Sequence, residues 1–279
     1  MSANAVGDAI EAGTLPGRVW MYANYHCNLA CTYCLTESAP GVEKRMLNPE
    51  DMIRVAREAA DLGFTDIGIT GGEPFLLRHF PETLASISEY LPTLVLTNGT
   101  LFNETRLAAL SPLAARPVAL QISLDSPDPD VNDEMRGDDN FAKVVDTIPR
   151  LRDLGITVRI ATTGEPGRLN ADDHARLCAL HRSLGVPDED HIVRPIVRRG
   201  RAADENLGQT FTPEEIPAEL CITADGAFWS PFGPTVRGGA LDTDLLISRT
   251  TTPLSRPANL LLGLVEGRPA GDDVTIGIR

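Results

Sequence analysis

The chain has no apolar run long enough to span a membrane. Its first seventeen residues, rich in Ala, Gly and acidic side chains, lack the basic start and apolar centre of a secretory signal. Positive charge is scarce. There are 25 Lys and Arg against 39 Asp and Glu, a formal net charge of −14, and Lys44 and Lys143 are the only lysines. Nucleic acid is thereby excluded as a partner, because phosphate binding needs a basic face. The surplus of acid reads first as surface solubility. Cysteine is also sparse, five in 279 residues with three of them clustered, which does not make a secreted disulfide framework. A cytoplasmic protein in a reducing compartment is expected. No internal repeat and no low-complexity tract is present.

The length suits one sizeable domain with a small appendage. From residue 18 to 197, strand and helix patterns alternate. Strands are expected at 18–24, 64–70, 93–97, 117–123, 156–162 and 192–197. Helices are expected at 51–62, 76–90, 104–113, 141–154 and 171–184, the first announced by Asn48-Pro49-Glu50 and the last capped by Asn170. Six strands alternating with helices imply parallel pairing and right-handed crossovers. The fold class is α/β, a partial (β/α)6 barrel, since the residues available do not close eight units. After Gly200 the pattern breaks. Residues 201–217 read as a connection, Ala224-Asp225-Gly226 as a hairpin turn, and the remainder as a small α+β extension. The organisation expected is a flexible lead over 1–17, the barrel over 18–202 and a C-terminal extension over 203–279.

Polar and glycine residues gather where the expected strands end. Cys27, Cys31 and Cys34 follow the first strand and Thr70-Gly71-Gly72-Glu73-Pro74 the second. Asn98 ends the third strand, Ser123-Leu124-Asp125 the fourth, Thr162-Thr163 the fifth, and Arg194 lies in the sixth. In parallel α/β folds this end of the sheet carries the active site. Three thiolates on one short loop can hold three corners of a cubane iron–sulfur cluster and leave one iron open to a substrate or cofactor. His26 with the same cysteines offers a structural zinc site instead, but adjacent residues make awkward ligands for one tetrahedral ion.

Cys27-x3-Cys31-x2-Cys34, with Tyr33 before the third cysteine, resembles the signature of the radical S-adenosylmethionine (SAM) superfamily, and Gly71-Gly72-Glu73-Pro74 resembles that family's second motif. The resemblance covers residues 18–202. It implies that Cys27, Cys31 and Cys34 ligate one [4Fe–4S] cluster whose open iron is chelated by SAM. Tyr33 would lie near the adenine. Gly71 and Gly72 would let the backbone approach the methionine end, where exposed carbonyls, with Glu73, would accept hydrogen bonds from the ammonium, and Pro74 belongs to the same motif. Asn98, Ser123, Asp125 and Arg194 would line the cofactor groove. Arg136 would pair with the SAM carboxylate, a task that suits a guanidinium. Reductive cleavage of SAM and hydrogen-atom abstraction from substrate follow, with an external donor of flavodoxin or ferredoxin type.

Cys221 opens a segment that resembles the twitch and SPASM extensions of the superfamily, yet no cysteine follows it, so no auxiliary cluster is expected. Redox-neutral chemistry therefore gains weight. Cys221, on a hairpin capping the barrel mouth, is the candidate hydrogen-atom donor of an epimerase. The short N-terminal lead leaves no room for a leader-peptide recognition domain, so a small sugar, aminoglycoside or nucleoside is the leading substrate class in natural-product biosynthesis. Dehydrogenation, dehydration, cyclisation and peptide modification are the alternatives, and a non-catalytic zinc or iron–sulfur module is the alternative class. Cys178 reads as an inert buried thiol, and Trp20 and Trp229 as packing residues.

Overall fold

The computed structural model describes residues 4–164, 171–237 and 240–267. In chain order they form α1 (Ala5–Glu11), β1 (Arg18–Tyr22), α2 (Pro49–Leu62), β2 (Asp66–Thr70), α3 (Phe80–Ile87), β3 (Thr93–Thr97), α4 (Glu104–Leu110), β4 (Val118–Ser123), α5 (Pro129–Arg136), α6 (Asn140–Asp153) and β5 (Thr157–Gly164). There follow α7 (Ala171–Ser183), β6 (His191–Pro195), α8 (Arg201–Asp204), β7 (Cys221–Thr223), β8 (Gly226–Phe228), β9 (Val236–Arg237), β10 (Ala240–Leu241), β11 (Leu246–Ser248) and α9 (Ser255–Glu266).

Strands β1 to β6 pair in sequence order and in parallel. The inner strands of such a sheet are covered on both faces and read as apolar runs. Ile67 and Ile69 on β2 and Leu120 and Ile122 on β4 are all fully buried. The sheet does not close. Its β1 edge is extended by β7, parallel to β1, and then by antiparallel β8 and β11, giving nine strands in the order β11-β8-β7-β1-β2-β3-β4-β5-β6.

Local signals set the crossovers. Asn48 accepts a hydrogen bond from Asp51 N, Pro49 starts α2, and Gly63 at φ 92° ends it. Met52, Val55, Ala56 and Ala59 form its buried stripe.

Several expectations are corrected. Within the expected flexible lead, residues 4–17 are packed: Asn4 caps α1, which packs against α9 and buries Val6, while Leu15 is also buried. The helix expected over 76–90 is shorter, because Pro74–Leu76 forms a 3-10 turn and α3 begins only at Phe80, followed by Pro81. The helix α5 was not anticipated, although Asp128 before Pro129 is an N-cap before an N1 proline. The expected cap Asn170 lies outside the described residues. The hairpin at Ala224-Asp225-Gly226 forms as expected, but it joins the sheet beside β1 instead of standing over the barrel mouth. The C-terminal extension thus shares the barrel's core, with Phe228, Trp229, Leu254 and Leu261 in the same apolar cluster as Val19 and Trp20.

Candidate active site

The loop from β1 to α2 turns the three cysteines into one cavity at the C-terminal ends of the parallel strands. All three are free thiols, Cys27 buried and Cys31 and Cys34 half-buried. Cys27 Sγ accepts from Leu29 N at 3.4 Å and from Asn98 Nδ2 at 3.6 Å. Cys34 Sγ lies 3.4 Å from the Thr36 hydroxyl, and the Cys31 thiol 3.8 Å from the Arg136 carbonyl. Burial, then the Glu73 carboxylate, pushes the unligated Cys27 thiol up to about 12. Burial raises Cys31 too.

The loop is held by residues that the motifs did not flag. Arg201 Nη1 donates to Cys31 O at 2.6 Å, its Nη2 to Ser38 O at 3.1 Å, and its amide to Cys34 O at 2.9 Å. Gly200, at φ 55°, lies against the loop so closely that a Cβ would sit 2.3 Å from Leu35 O. The change of pattern after Gly200 was the sequence signal available. On the other side, Thr32 N donates to Met135 O at 2.9 Å, tying the loop to α5.

The Gly-Gly-Glu-Pro segment also packs against the cysteine loop. A Cβ on Gly71 would fall 2.4 Å from Asn24 O, and one on Gly72 would fall 2.2 Å from His26 O. The missing side chains admit the start of the cysteine loop, while both glycines still line the cavity. Glu73 and Pro74 do not line it. Glu73 is fully buried, and its carboxylate accepts from Phe75 N (3.0 Å), the Thr97 hydroxyl (2.9 Å) and Asn98 N (2.8 Å). Its carboxylate is engaged inside the protein, bracing the end of β3 against the end of β2. Pro74 starts the 3-10 turn.

Tyr33, Asp125 and Arg136 form one buried unit. The Tyr33 hydroxyl donates to Asp125 and accepts from Arg136. Arg136 Nη1 also pairs with Asp125 Oδ2 at 3.0 Å, and Asp125 Oδ1 accepts from Thr163 N at 2.7 Å. Asp125 does not line the cavity, whereas Tyr33 and Arg136 do. Arg136 keeps one buried donor, Nε, without a partner. Arg194 faces the same cavity with no hydrogen bond or ion pair among the described residues, its pKa lowered by burial. Asn98 and Ser123 also reach the cavity.

Cys221 does not. On β7 it pairs with Trp20 of β1, is 0% exposed and is absent from the cavity wall. The hairpin that was to cap the mouth is a sheet strand, and the thiol lies in the core. Burial raises its pKa.

The donor set fits a cubane cluster with a chelating ligand. Three thiols point into one cavity, close-approach backbone lies beside them, and two guanidinium groups offer unmatched donors.

Comparison with known proteins agrees. The model of the Radical SAM superfamily matches residues 21–178. GTP 3′,8-cyclase of Aquifex aeolicus is 29% identical over 169 residues, covering 57% of this chain and 51% of the relative. The antilisterial bacteriocin subtilosin biosynthesis protein AlbA of Bacillus subtilis is 35% identical over 139 residues, 49% of this chain and 31% of AlbA. The sporulation killing factor maturation protein SkfB of Bacillus subtilis is 31% identical over 156 residues, 55% of this chain and 37% of SkfB. The chain spans about half or less of the length of these relatives. Among solved structures, Streptococcus suis SuiB bound to S-adenosylmethionine superposes with TM-score 0.58 at 18% identity, over 75% of this chain and 47% of SuiB. anSMEcpe with bound AdoMet gives TM-score 0.52 at 17% identity, over 78% and 72%. At these identities the likeness to solved structures is one of fold.

Proposed function

This chain belongs to the radical SAM superfamily, and from that premise we propose that it modifies a peptide substrate by hydrogen-atom abstraction. The family's cofactors are a [4Fe–4S] cluster and SAM. Cys27, Cys31 and Cys34 would hold the cluster, and Gly71, Gly72, Asn98 and Ser123 would flank SAM. When bound, the pair supplies reductive SAM cleavage and a carbon radical able to take hydrogen from an unactivated C–H bond. The electron would come from a separate flavodoxin- or ferredoxin-type protein.

The observation that carries SAM binding in this reading is the Arg194 guanidinium, which faces the cavity of the three thiols and is unpaired among the described residues. Nη1 of Arg136 is engaged by Asp125 and Tyr33, whereas no donor of Arg194 is engaged among the described residues, and we assign Arg194 the SAM carboxylate. Arg136 then acts chiefly by fixing Tyr33 at the cavity wall.

Two observations favour a peptide over the other substrate classes. The wall beyond Arg194 is largely apolar, formed by Leu35, Ile196, Val197, Pro231 and Phe232. A nucleoside triphosphate needs several cations there, and the net charge of −14 opposes it further. Epimerisation of a sugar needs a hydrogen-atom donor in the cavity, and no thiol other than the three loop cysteines lines it among the described residues. The relatives AlbA and SkfB are themselves named for peptide maturation.

Anaerobic reconstitution with iron, sulfide and dithionite should give SAM-dependent 5′-deoxyadenosine, lost in Cys31→Ala. Arg194→Ala should weaken SAM binding at least ~10-fold, the loss of one charged hydrogen-bond pair. Unchanged SAM affinity would remove Arg194 from that role. A small peptide encoded beside this gene should change mass in a SAM-dependent way while GTP stays intact; GTP consumption would sink the peptide reading.

A further inference from the structure

Away from the cysteine loop, the outer side of the barrel carries a second gathering of metal-ligating side chains. α7 sets His174, Cys178 and His181 at i, i+4 and i+7 along one face. His191 begins β6, the last strand at that edge of the sheet. Its ring stacks near His174 at 5.9 Å between centroids and meets His181 edge-on at 4.2 Å. One ligand atom from each of His174, Cys178 and His191 lies within 4.8 Å of the other two.

The spacing is close to that of a bound ion. Cys178 Sγ and His174 Nε2 are 3.7 Å apart. Tetrahedral zinc, with its usual bond lengths to sulfur and nitrogen, sets those two atoms about 3.6 Å apart. The orientation of His191 is also fixed. The Thr162 hydroxyl, 2.9 Å from His191 Nε2, gives its one hydrogen to Leu124 O at 2.8 Å. It can therefore only accept from the ring, so Nε2 carries the proton and Nδ1 keeps its lone pair. Metal-binding histidines are held in this way by a partner on the far nitrogen.

Two independent observations point to something beyond the polypeptide. His181 is 0% exposed, and neither of its ring nitrogens has a partner. A buried imidazole normally satisfies at least one. In addition, α7 buries only Leu177 and His181, where α2 buries four apolar side chains. Hydrophobic contact alone anchors α7 weakly.

We propose that His174, Cys178 and His191 bind one divalent ion of the zinc class, with a water as fourth ligand hydrogen-bonded to His181, and that this ion pins α7 to the β6 edge. One thiolate with two imidazoles suits a borderline-soft ion. The site is separate from the cluster cysteines, which follow β1, five strands away in the sheet. Cys178 is half-buried and has a task, contrary to the inert core thiol expected from its place in mid-helix.

The test is metal content of the full-length, cluster-loaded protein after incubation with zinc and desalting. About one zinc should remain per chain beside the cluster iron. His174→Ala and Cys178→Ser, at exposed and half-buried positions, should each weaken zinc binding at least ~10-fold, the scale of losing a ligand shell contact, with iron unchanged. In the Cys27→Ala/Cys31→Ala/Cys34→Ala chain, cobalt(II) should give a thiolate-to-metal charge-transfer band that Cys178→Ser abolishes. Zinc retention equal in the wild type and the Cys178→Ser/His191→Ala double variant, or a cobalt band that survives Cys178→Ser, would overturn the proposal.

Discussion

At Glu73 a carboxylate in the Gly-Gly-Glu-Pro motif braces the protein itself. Oε1 accepts from Phe75 N and the Thr97 hydroxyl, and Oε2 accepts from Asn98 N. A glutamine there must turn its NH2 toward a donor. Glu73→Gln should therefore cost about 1–3 kcal/mol, the penalty of an unmatched buried polar group, read from urea midpoints. Arg201 is the second such residue, because its guanidinium holds two carbonyls of the cysteine loop. Arg201→Ala should load less cluster than the wild type under identical reconstitution while keeping near-native circular dichroism. Full iron loading in that variant would show the staple to be dispensable. Neither role was visible in the sequence. A motif gives residue type and spacing but not where a side chain's lone pairs are already engaged.

At the level of elements, the edge where β7 joins β1 decides most of what differs from expectation. That pairing takes Cys221 out of the cavity and into the core. It also brings Glu219 beneath Trp20, whose indole N–H donates to its carboxylate. Burial raises the Glu219 pKa. The folded chain thus holds this proton more tightly than the unfolded chain does. Stability from this group is intact at low pH and falls as pH rises from the ordinary glutamate value through the raised one. Glu219→Gln keeps an acceptor for Trp20 and removes the buried charge. It should unfold at higher urea than the wild type at pH 8 and at the same urea at pH 4. A pH-independent difference would place its effect in packing. In the same core, Leu261 of α9, which packs against β11, is 1% exposed, and Leu261→Ala should cost about 2–5 kcal/mol by equilibrium unfolding.

Across the whole molecule, the charge of −14 is a uniform repulsion acting on the compact state. Raising the salt from 10 to 150 mM shortens the screening length from about 30 to about 8 Å. Repulsion should weaken more than the exposed pairs such as Arg182–Asp188, each worth only ~0–1 kcal/mol. The thermal midpoint should rise across that range, and a flat or falling midpoint would assign the acid to local pairing instead. The described residues contain no helix long and apolar enough to cross a membrane.

The sequence by itself determined the six parallel strands of the α/β sheet, and the end of that sheet where the three loop cysteines gather. Hydrophobic periodicity, turn chemistry and the spacing of thiols are local properties, and each is written in a few consecutive residues. The tertiary structure decided whatever depends on residues far apart in the chain. It set Arg201 against Cys31, closed the Tyr33–Asp125–Arg136 unit, turned Arg194 to the cavity and buried Cys221. It also gathered His174, Cys178 and His191 at one edge, which no spacing pattern announced, since His191 comes from the strand after the helix. Contacts of this kind are fixed by how strands order themselves in the sheet, and that order is settled by burial of the whole core.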